Sequence, residues 1–219
     1  MQHWHAGAIY GIAELLHQFK IFMTCSKSPL IVIFFIFFCA NAYKKNQTLS
    51  IAAEKDSVQY FSEVAQFIQQ VEQQELNDRY FILEDEPANL DWPDSLCLAQ
   101  LKADTATFSE IELSFIENQK KNPLLRLWTN ELIPKIKIIS SDTVRKIFND
   151  NSKSWPFFYK HIGHSVSSFS APIFLRNFSY CLFYSDNSCG DLCGEGNFSL
   201  YKKVNNKWTA VRIYCSWIS

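Results

Sequence analysis

The chain has 219 residues, 47% hydrophobic and 20% charged, with a formal net charge of −1. That length suits one domain rather than two, and the balance is that of a folded protein, not a disordered one. The near-neutral charge excludes a basic field for nucleic acid or anionic membrane.

Residues 30–39 read Leu-Ile-Val-Ile-Phe-Phe-Ile-Phe-Phe-Cys, an apolar run without a charge. A bilayer span needs roughly 20 such residues, so the run is too short to be one. It matches the hydrophobic region of a secretory signal, with Lys20 and Lys27 as the positive flank and Ala40-Asn41-Ala42 as a small-x-small cleavage site. Cys39 does not make it a lipoprotein signal, because Phe37 and Phe38 stand where small residues are needed. The expected organisation is therefore an over-extended start at 1–22, a signal peptide at 23–42 beginning at Met23, and a mature domain over 43–219. No stable membrane span is expected after cleavage, and the compartment is periplasmic or extracellular. His3 and His5 have metal-like spacing but fall in the discarded start.

Along the mature chain, residues 43–54 are polar and read as a loose leader. From 57 to 77 the pattern turns helical: Val58, Phe61, Val64, Ala65, Ile68 and Val71 recur at spacings of three and four, with Asp56 or Ser57 as a cap. Residues 84–95 are acidic and interrupted by Pro87 and Pro93, so they read as a loop, from which Trp92 and Cys97 turn back to the core. Thr107-Phe-Ser-Glu110 has capping-box spacing, and a second helix follows to Lys121 with Phe108, Ile111 and Phe115 on one face. Leu124 to Leu132 reads as a further helical turn, Ile136 to Ile139 as a short strand or extended link, and Ser141-Asp142 as the cap of a third helix through Phe148. Trp155 to Tyr159 is an aromatic cluster beside Pro156; it covers one end of the core or, if exposed, forms a patch for a partner.

The last fifty residues supply four strands, roughly 169–175, 178–185, 197–203 and 207–218. Asn205-Asn206 is the tight turn between the last two, since Asn tolerates positive φ. Alternation on the last strand gives an odd face of Val211, Ile213, Cys215 and Trp217. Its even face, with Trp208, Arg212 and Tyr214, is more mixed and so expected to be the exposed one. Strand 178–185 is apolar on both sides through Tyr180, Leu182, Phe183 and Tyr184, which marks it as a central strand covered on both faces. The expected fold is α+β: N-terminal helices packed on a C-terminal four-stranded antiparallel sheet.

Five cysteines lie in the mature chain, Cys97, Cys181, Cys189, Cys193 and Cys215. In an exported protein disulfides are the default. Cys189 and Cys193 are the candidate pair, because Gly190, Gly194 and Gly196 let the connection double back. Cys181 and Cys215 fit poorly: in a meander their strands are separated by a third, roughly 9.5 Å across, whereas a disulfide needs Cα atoms within about 7 Å. Cys97 can pair with either, and an odd count leaves at least one thiol free or paired between chains. A zinc site from Cys181, Cys189, Cys193 and Cys215 is disfavoured, because structural zinc sites show two close pairs and here there is one wider pair.

No G-x-S-x-G, H-E-x-x-H, G-x-x-x-x-G-K or G-x-G-x-x-G pattern occurs. The mature chain offers two histidines, His161 and His164, in an expected loop, and Asp85, Glu86 and Asp91 read as solvated loop acids. No catalytic, cofactor or metal residues are assigned.

Taken together, Phe169-Ser-Ala-Pro-Ile-Phe174, Cys189-Gly-x-Leu-Cys193-Gly-x-Gly196, Asn206-Lys-Trp208-x-x-Val211 and Trp217-Ile-Ser219 give a recognisable ending. It resembles small exported bacterial proteins of unknown function with a terminal C-G-x-L-C-G-x-G…K-W…W-I-S pattern. The resemblance implies an envelope-side protein and brings no activity with it. The Asn206-Lys-Trp208 end also resembles the last strands of NTF2-like and cystatin-like α+β folds, an analogy of fold alone. The expected function is a non-catalytic binding or interaction domain for an unknown protein or small ligand, stabilised by a stapled hairpin. The alternative is an envelope hydrolase or thiol enzyme using His161 or His164 with an acid or a free cysteine.

Overall fold

The stripe at 57–77 does form a helix. In the computed structural model, which describes residues 56–90, 95–150 and 152–219, α1 covers 56–71 and a short α2 (Gln73–Leu76) follows. Val64, Phe67 and Ile68 are fully buried. Val58, expected inside, is exposed, and the buried Glu72 interrupts the helix. The remaining elements are β1 (Ile82–Glu84), α3 (Ser95–Ala103), α4 (Glu110–Lys121), β2 (Lys137–Ile139), α5 (Ser141–Phe148), α6 (Ser154–His161), β3 (Val166–Phe169), β4 (Ile173–Leu175), β5 (Tyr180–Gly190), β6 (Cys193–Val204) and β7 (Lys207–Ile218). Residues Ser57–Ser219 make one compact unit.

The fold class is α+β, but the sheet is not four-stranded and antiparallel. It is a seven-stranded mixed sheet in the order β2-β1-β3-β5-β6-β7, with β4 also paired to β5. β1 runs parallel to β2 and β3, and the other pairings are antiparallel. Two causes explain the difference. β1 and β2 have three residues each, too few to show the alternation of a strand. And the expected strand 169–175 is two pieces, β3 and β4, laid end to end along the same edge of β5. Pro172 has no N–H to give a ladder. At the break Ser170 stands in for the missing backbone: its N–H donates to Tyr184 O and its Oγ accepts the Tyr184 N–H, both at 2.9 Å.

Three apolar clusters cover the sheet. On one face α1 and the segment 125–136 bury Phe67, Trp128, Phe169, Phe183 and Trp208. Phe67 meets Phe174, Phe183, Tyr201 and Trp208 edge-on at 5.2–5.9 Å, an arrangement in which one ring's positive edge meets another's negative face. On the other face α3 and α4 close over Leu182, Tyr184, Phe198, Leu200 and Tyr214, and α5 and α6 close over Ile82 and Val166. The central strand β5 is thus covered on both sides, as its composition predicts.

Several local expectations need correction. The capping box belongs to Ser109 and Glu112, two residues later than expected, and α4 begins at Glu110. Leu124 to Leu132 holds no helix; its backbone is tied elsewhere, as by Trp128 N–H to Asp85 O at 2.7 Å. The aromatic cluster around Pro156 is the helix α6, where the proline sits in the first turn and removes an N–H that has no intrahelical partner. α3 was not expected at all.

The largest correction concerns β7. Trp208 and Tyr214 are the buried residues, while Val211 and Ile213 are more than half exposed. Register shifts explain it. Leu200 pairs with Arg212 and Tyr201 with Ala210, so Val211 is bulged out; Phe198 pairs with Cys215 and Ser199 with Ile213, so Tyr214 is bulged out too. Each bulge inverts the alternation. Arg212, Tyr214 and Cys215 then all meet the corner between α3 and α4. Arg212 Nη1 and Tyr214 Oη each donate to Asp104 Oδ2 at 2.7 Å, and Cys215 is bonded to Cys97. Burial pushes the Asp104 carboxyl up, but bonds from Tyr214 and Thr107 and the charge of Arg212 outweigh it, and its pKa ends lowered.

Two disulfides form, Cys97–Cys215 and the expected Cys189–Cys193. They take Cys189, Cys193 and Cys215 out of any thiolate set, and Cys181 is left free and buried. Asn205 and Asn206 turn with φ of 51° and 60°, the left-handed pair that a two-residue hairpin requires. No helix among the described residues is long and apolar enough to cross a membrane. The expected start at 1–22, signal at 23–42, leader at 43–54 and Trp92 lie outside the described residues.

Candidate functional site

One row of residues crosses the middle of the sheet on the face shared by α3 to α6. It runs from Glu84 on β1 to Ser168 on β3, then Asp186 on β5, Gly196 on β6 and Trp217 on β7. Ser168 pairs with Asp186, Asp186 with Gly196, and Gly196 with Trp217. Ser168 Oγ donates to Glu84 Oε1 at 3.1 Å and Ser168 N–H to Asp186 Oδ1 at 3.2 Å. Tyr184 Oη donates to Asp186 Oδ2 at 2.8 Å, and Trp217 Nε1–H donates to Tyr184 Oη at 3.1 Å. A relay of hydrogen bonds therefore fixes the Asp186 carboxylate from the far side of the sheet.

Glycine is needed in the row for steric reasons. A Cβ at Gly196 would come within 2.5 Å of Trp217 Nε1 and 2.9 Å of Asp186 Cβ. Its absence lets the half-exposed indole lie across β6 and reach Tyr184.

Above the row is a cleft of about 280 Å³, lined by Glu84, Ala88, Asn89, Val166, Ser168, Tyr184, Asp186 and Ser188. Neither Glu84 nor Asp186 has an ion-pair partner among the described residues. Burial pushes Asp186 up to about 6; the Glu84 charge adds to this, and the bonds from Tyr184 and the Ser168 N–H pull it back. Burial also raises the Tyr184 hydroxyl, helped by the Asp186 charge, so Tyr184 stays a donor. The cleft combines acceptors, a fixed hydroxyl and an aromatic wall, which is what a small polar ligand needs.

Other hollows offer less. A groove of about 540 Å³ between α3 and α4 is lined by Leu101, Leu113 and Ile116, with the exposed pair Lys102–Glu117 at 3.3 Å beside it. On the opposite face of the sheet, a smaller cavity of about 180 Å³ holds Glu72, Glu75, Ser185, Asn187 and Glu195. There burial lifts Glu72 to about 7, with Ser185 opposing and Glu75 adding, and Asn187 Oδ1 is buried without a hydrogen-bond partner.

The residues singled out from sequence lie elsewhere. His161 ends α6, exposed, its ring 4.4 Å from that of Phe157. His164 is exposed and edge-on to Tyr80 at 5.9 Å. Neither lines the cleft. Cys181 has no exposed surface, and burial drives its thiol pKa well up, so it offers no thiolate to a substrate. Asp85 holds the start of α5 by accepting the Ser141 N–H at 2.8 Å, and Glu86 pairs with Arg145 at 2.9 Å; Asp91 lies outside the described residues. Cys189 and Cys193 form their bridge at the tip of the β5–β6 hairpin, next to Ser188 of the cleft. The sequence signal for the site was Asp186, a carboxylate in the strand that continues the apolar run 180–184. Its partners on four other strands carried none.

No protein-family model, curated protein or solved structure matches this chain.

Proposed function

We propose that this is an exported, non-catalytic binding domain whose ligand site is the cleft over Glu84, Ser168, Tyr184 and Asp186. The observation that carries the reading is the pair of carboxylates, without ion-pair partners among the described residues, facing a shared cleft and braced by the Trp217–Tyr184 relay. Two half-buried carboxylates facing one cleft repel each other, and a ligand that donates hydrogen bonds or brings positive charge relieves that repulsion. The stapled β5–β6 hairpin stabilises one end of the site. Export is supported by the signal-like segment at 23–42 and by two disulfides in the domain, and kinship with the small exported bacterial proteins rests on the C-G-x-L-C-G-x-G ending. A long helix on the antiparallel meander β5–β6–β7 supports the NTF2-like or cystatin-like analogy for architecture, from which the parallel β1–β2 pair departs.

The test is a panel of amines, amino acids and simple sugars, followed through the backbone amide shifts of the folded protein. Shifts confined to Glu84, Ser168 and Asp186, and abolished by Glu84→Gln and Asp186→Asn, support the site. Shifts confined to the α3–α4 groove, or none across the panel, refute it.

One observation favours a second reading. A carboxyl lifted to about 6 beside another carboxylate is the arrangement used for acid–base hydrolysis. Asp186 would then be the proton donor of an envelope hydrolase, in place of His161 or His164. Turnover of a bound panel member, lost in Asp186→Asn with binding retained, distinguishes it from simple binding.

A further inference from the structure

The two disulfides differ in span and in exposure. Cys97–Cys215 links residues 118 apart, with Cys97 on α3 and 2% exposed. Cys189–Cys193 links residues four apart at a hairpin tip, where Asp191, Leu192 and Cys193 are exposed and Leu192 reaches 87%. The two sulfurs of that bridge are themselves unequal. Cys189 is half-buried and its carbonyl accepts the Tyr159 hydroxyl at 2.6 Å, while Cys193 lies on the solvent side.

We infer that the Cys189–Cys193 bridge is a thiol-exchange site for small monothiols, with Cys193 as the sulfur attacked. A monothiolate approaches Cys193 Sγ from solvent, opposite the Cys189 sulfur. The new S–S bond forms at Cys193 as the old one breaks. The electron pair leaves on Cys189, which takes a proton from water and becomes a thiol. The product is a mixed disulfide on Cys193. It reverses when the Cys189 thiolate, four residues away, attacks that sulfur and expels the monothiol. Buried Cys181 has no route to the exchange.

The fold confines the consequences to the tip. The β5–β6 register already shifts between Ser188 and Gly190, so opening the bridge frees residues 190–193 beyond an existing irregularity. From Asn187↔Glu195 inward the ladder is held by β3 and β7 on either side. Opening lets the tip cysteines separate in a freed loop, whereas Cys97 on α3 and Cys215 on β7 stay held together by the packed fold, so the tip bridge is the easier of the two to reduce.

The test uses the intact protein equilibrated with graded ratios of reduced to oxidised glutathione, quenched by alkylation and mapped by peptide mass. The expected result is glutathione on Cys193 and free Cys189 at ratios below those that open Cys97–Cys215, with faster amide exchange restricted to residues 190–194. Opening of both bridges together, opening of Cys97–Cys215 first, or glutathione on Cys189 instead of Cys193 overturns the inference. The Cys189→Ser protein, checked for an intact Cys97–Cys215 bridge, should form the same Cys193 adduct on oxidised glutathione. Failure to do so, with that bridge intact, counts equally against it.

Discussion

Glu72 sets a pH dependence whose sign and size follow from its position. It sits between α1 and α2, 9% exposed, with its carboxyl against Ser185 and the acids Glu75 and Glu195 lining the same cavity. Burial lifts it from 4.5 to about 7. The folded state therefore holds a proton that the unfolded chain releases near 4.5, and stability falls as pH rises from about 4.5 through about 7. The full effect corresponds to about 3 kcal/mol above pH 8, a large share of a domain's typical stability of about 5–15 kcal/mol. Replacing Glu72 with Gln keeps an acceptor for Ser185 and removes the ionisation. Urea denaturation at a series of pH values should show Glu72→Gln matching the parent near pH 4 and exceeding it by about 2–3 kcal/mol at pH 8. Asp186, lifted to about 6, acts in the same direction, so part of the slope between pH 4 and 6 persists in the variant. A gain of equal size at both ends of the range, or no gain at pH 8, refutes the burial argument.

Three further outcomes follow from the same geometry. Removing Cys97–Cys215 as an alanine pair should cost about 5 kcal/mol and removing Cys189–Cys193 about 2 kcal/mol, from closed spans of 118 and four residues; chemical denaturation reads the difference, and a reversed order contradicts it. At the β6–β7 turn, Asn206→Gly should raise stability by about 0.5–1 kcal/mol and Asn205→Val should lower it by about 1–2 kcal/mol, because both positions hold a left-handed φ. Tyr184→Phe removes the hydroxyl that pulls Asp186 down, so carboxyl NMR titration should place Asp186 above its present value of about 6; a fall would mean that the hydroxyl does not stabilise the charged form.

What the sequence makes legible here is local, and what it hides is long-range. The α1 stripe is visible because 3.6-residue spacing sets Val64 and Ile68 on one face, and the Asn205–Asn206 turn because few other residues accept its φ. The cysteine–glycine hairpin is visible for the same reason: a bridge across four residues needs no knowledge of the rest of the chain. β1 is three residues long beside an acidic loop, and no periodicity can be read from it. α6 is concealed by Pro156, since a proline that would break a helix interior is tolerated in a first turn. The faces of β7 come out inverted because alternation assumes an unbroken ladder, and the shifts at Val211 and Tyr214 exist only against β6. The site is hidden for the same reason. Glu84, Ser168, Asp186, Gly196 and Trp217 are drawn from five strands, and their alignment is a property of pairing, not of spacing along the chain.

The two bulges of β7 are a matched set. One inversion at Val211 and a second at Tyr214 cancel by the time the strand reaches Cys215, so the cysteine faces Cys97 with the parity that an unbulged strand would have. Arg212 and Tyr214, between the inversions, face Asp104 only because of the first. Deleting Val211, which has no partner on β6, would leave Arg212 opposite Leu200 and Cys215 opposite Phe198, both still facing the corner. Deleting Tyr214 instead would keep Cys215 opposite Phe198 and the covalent tie, and lose the hydroxyl bond to Asp104. Deletions at the two bulges thus separate the covalent anchor of the α3–α4 corner from part of its polar one.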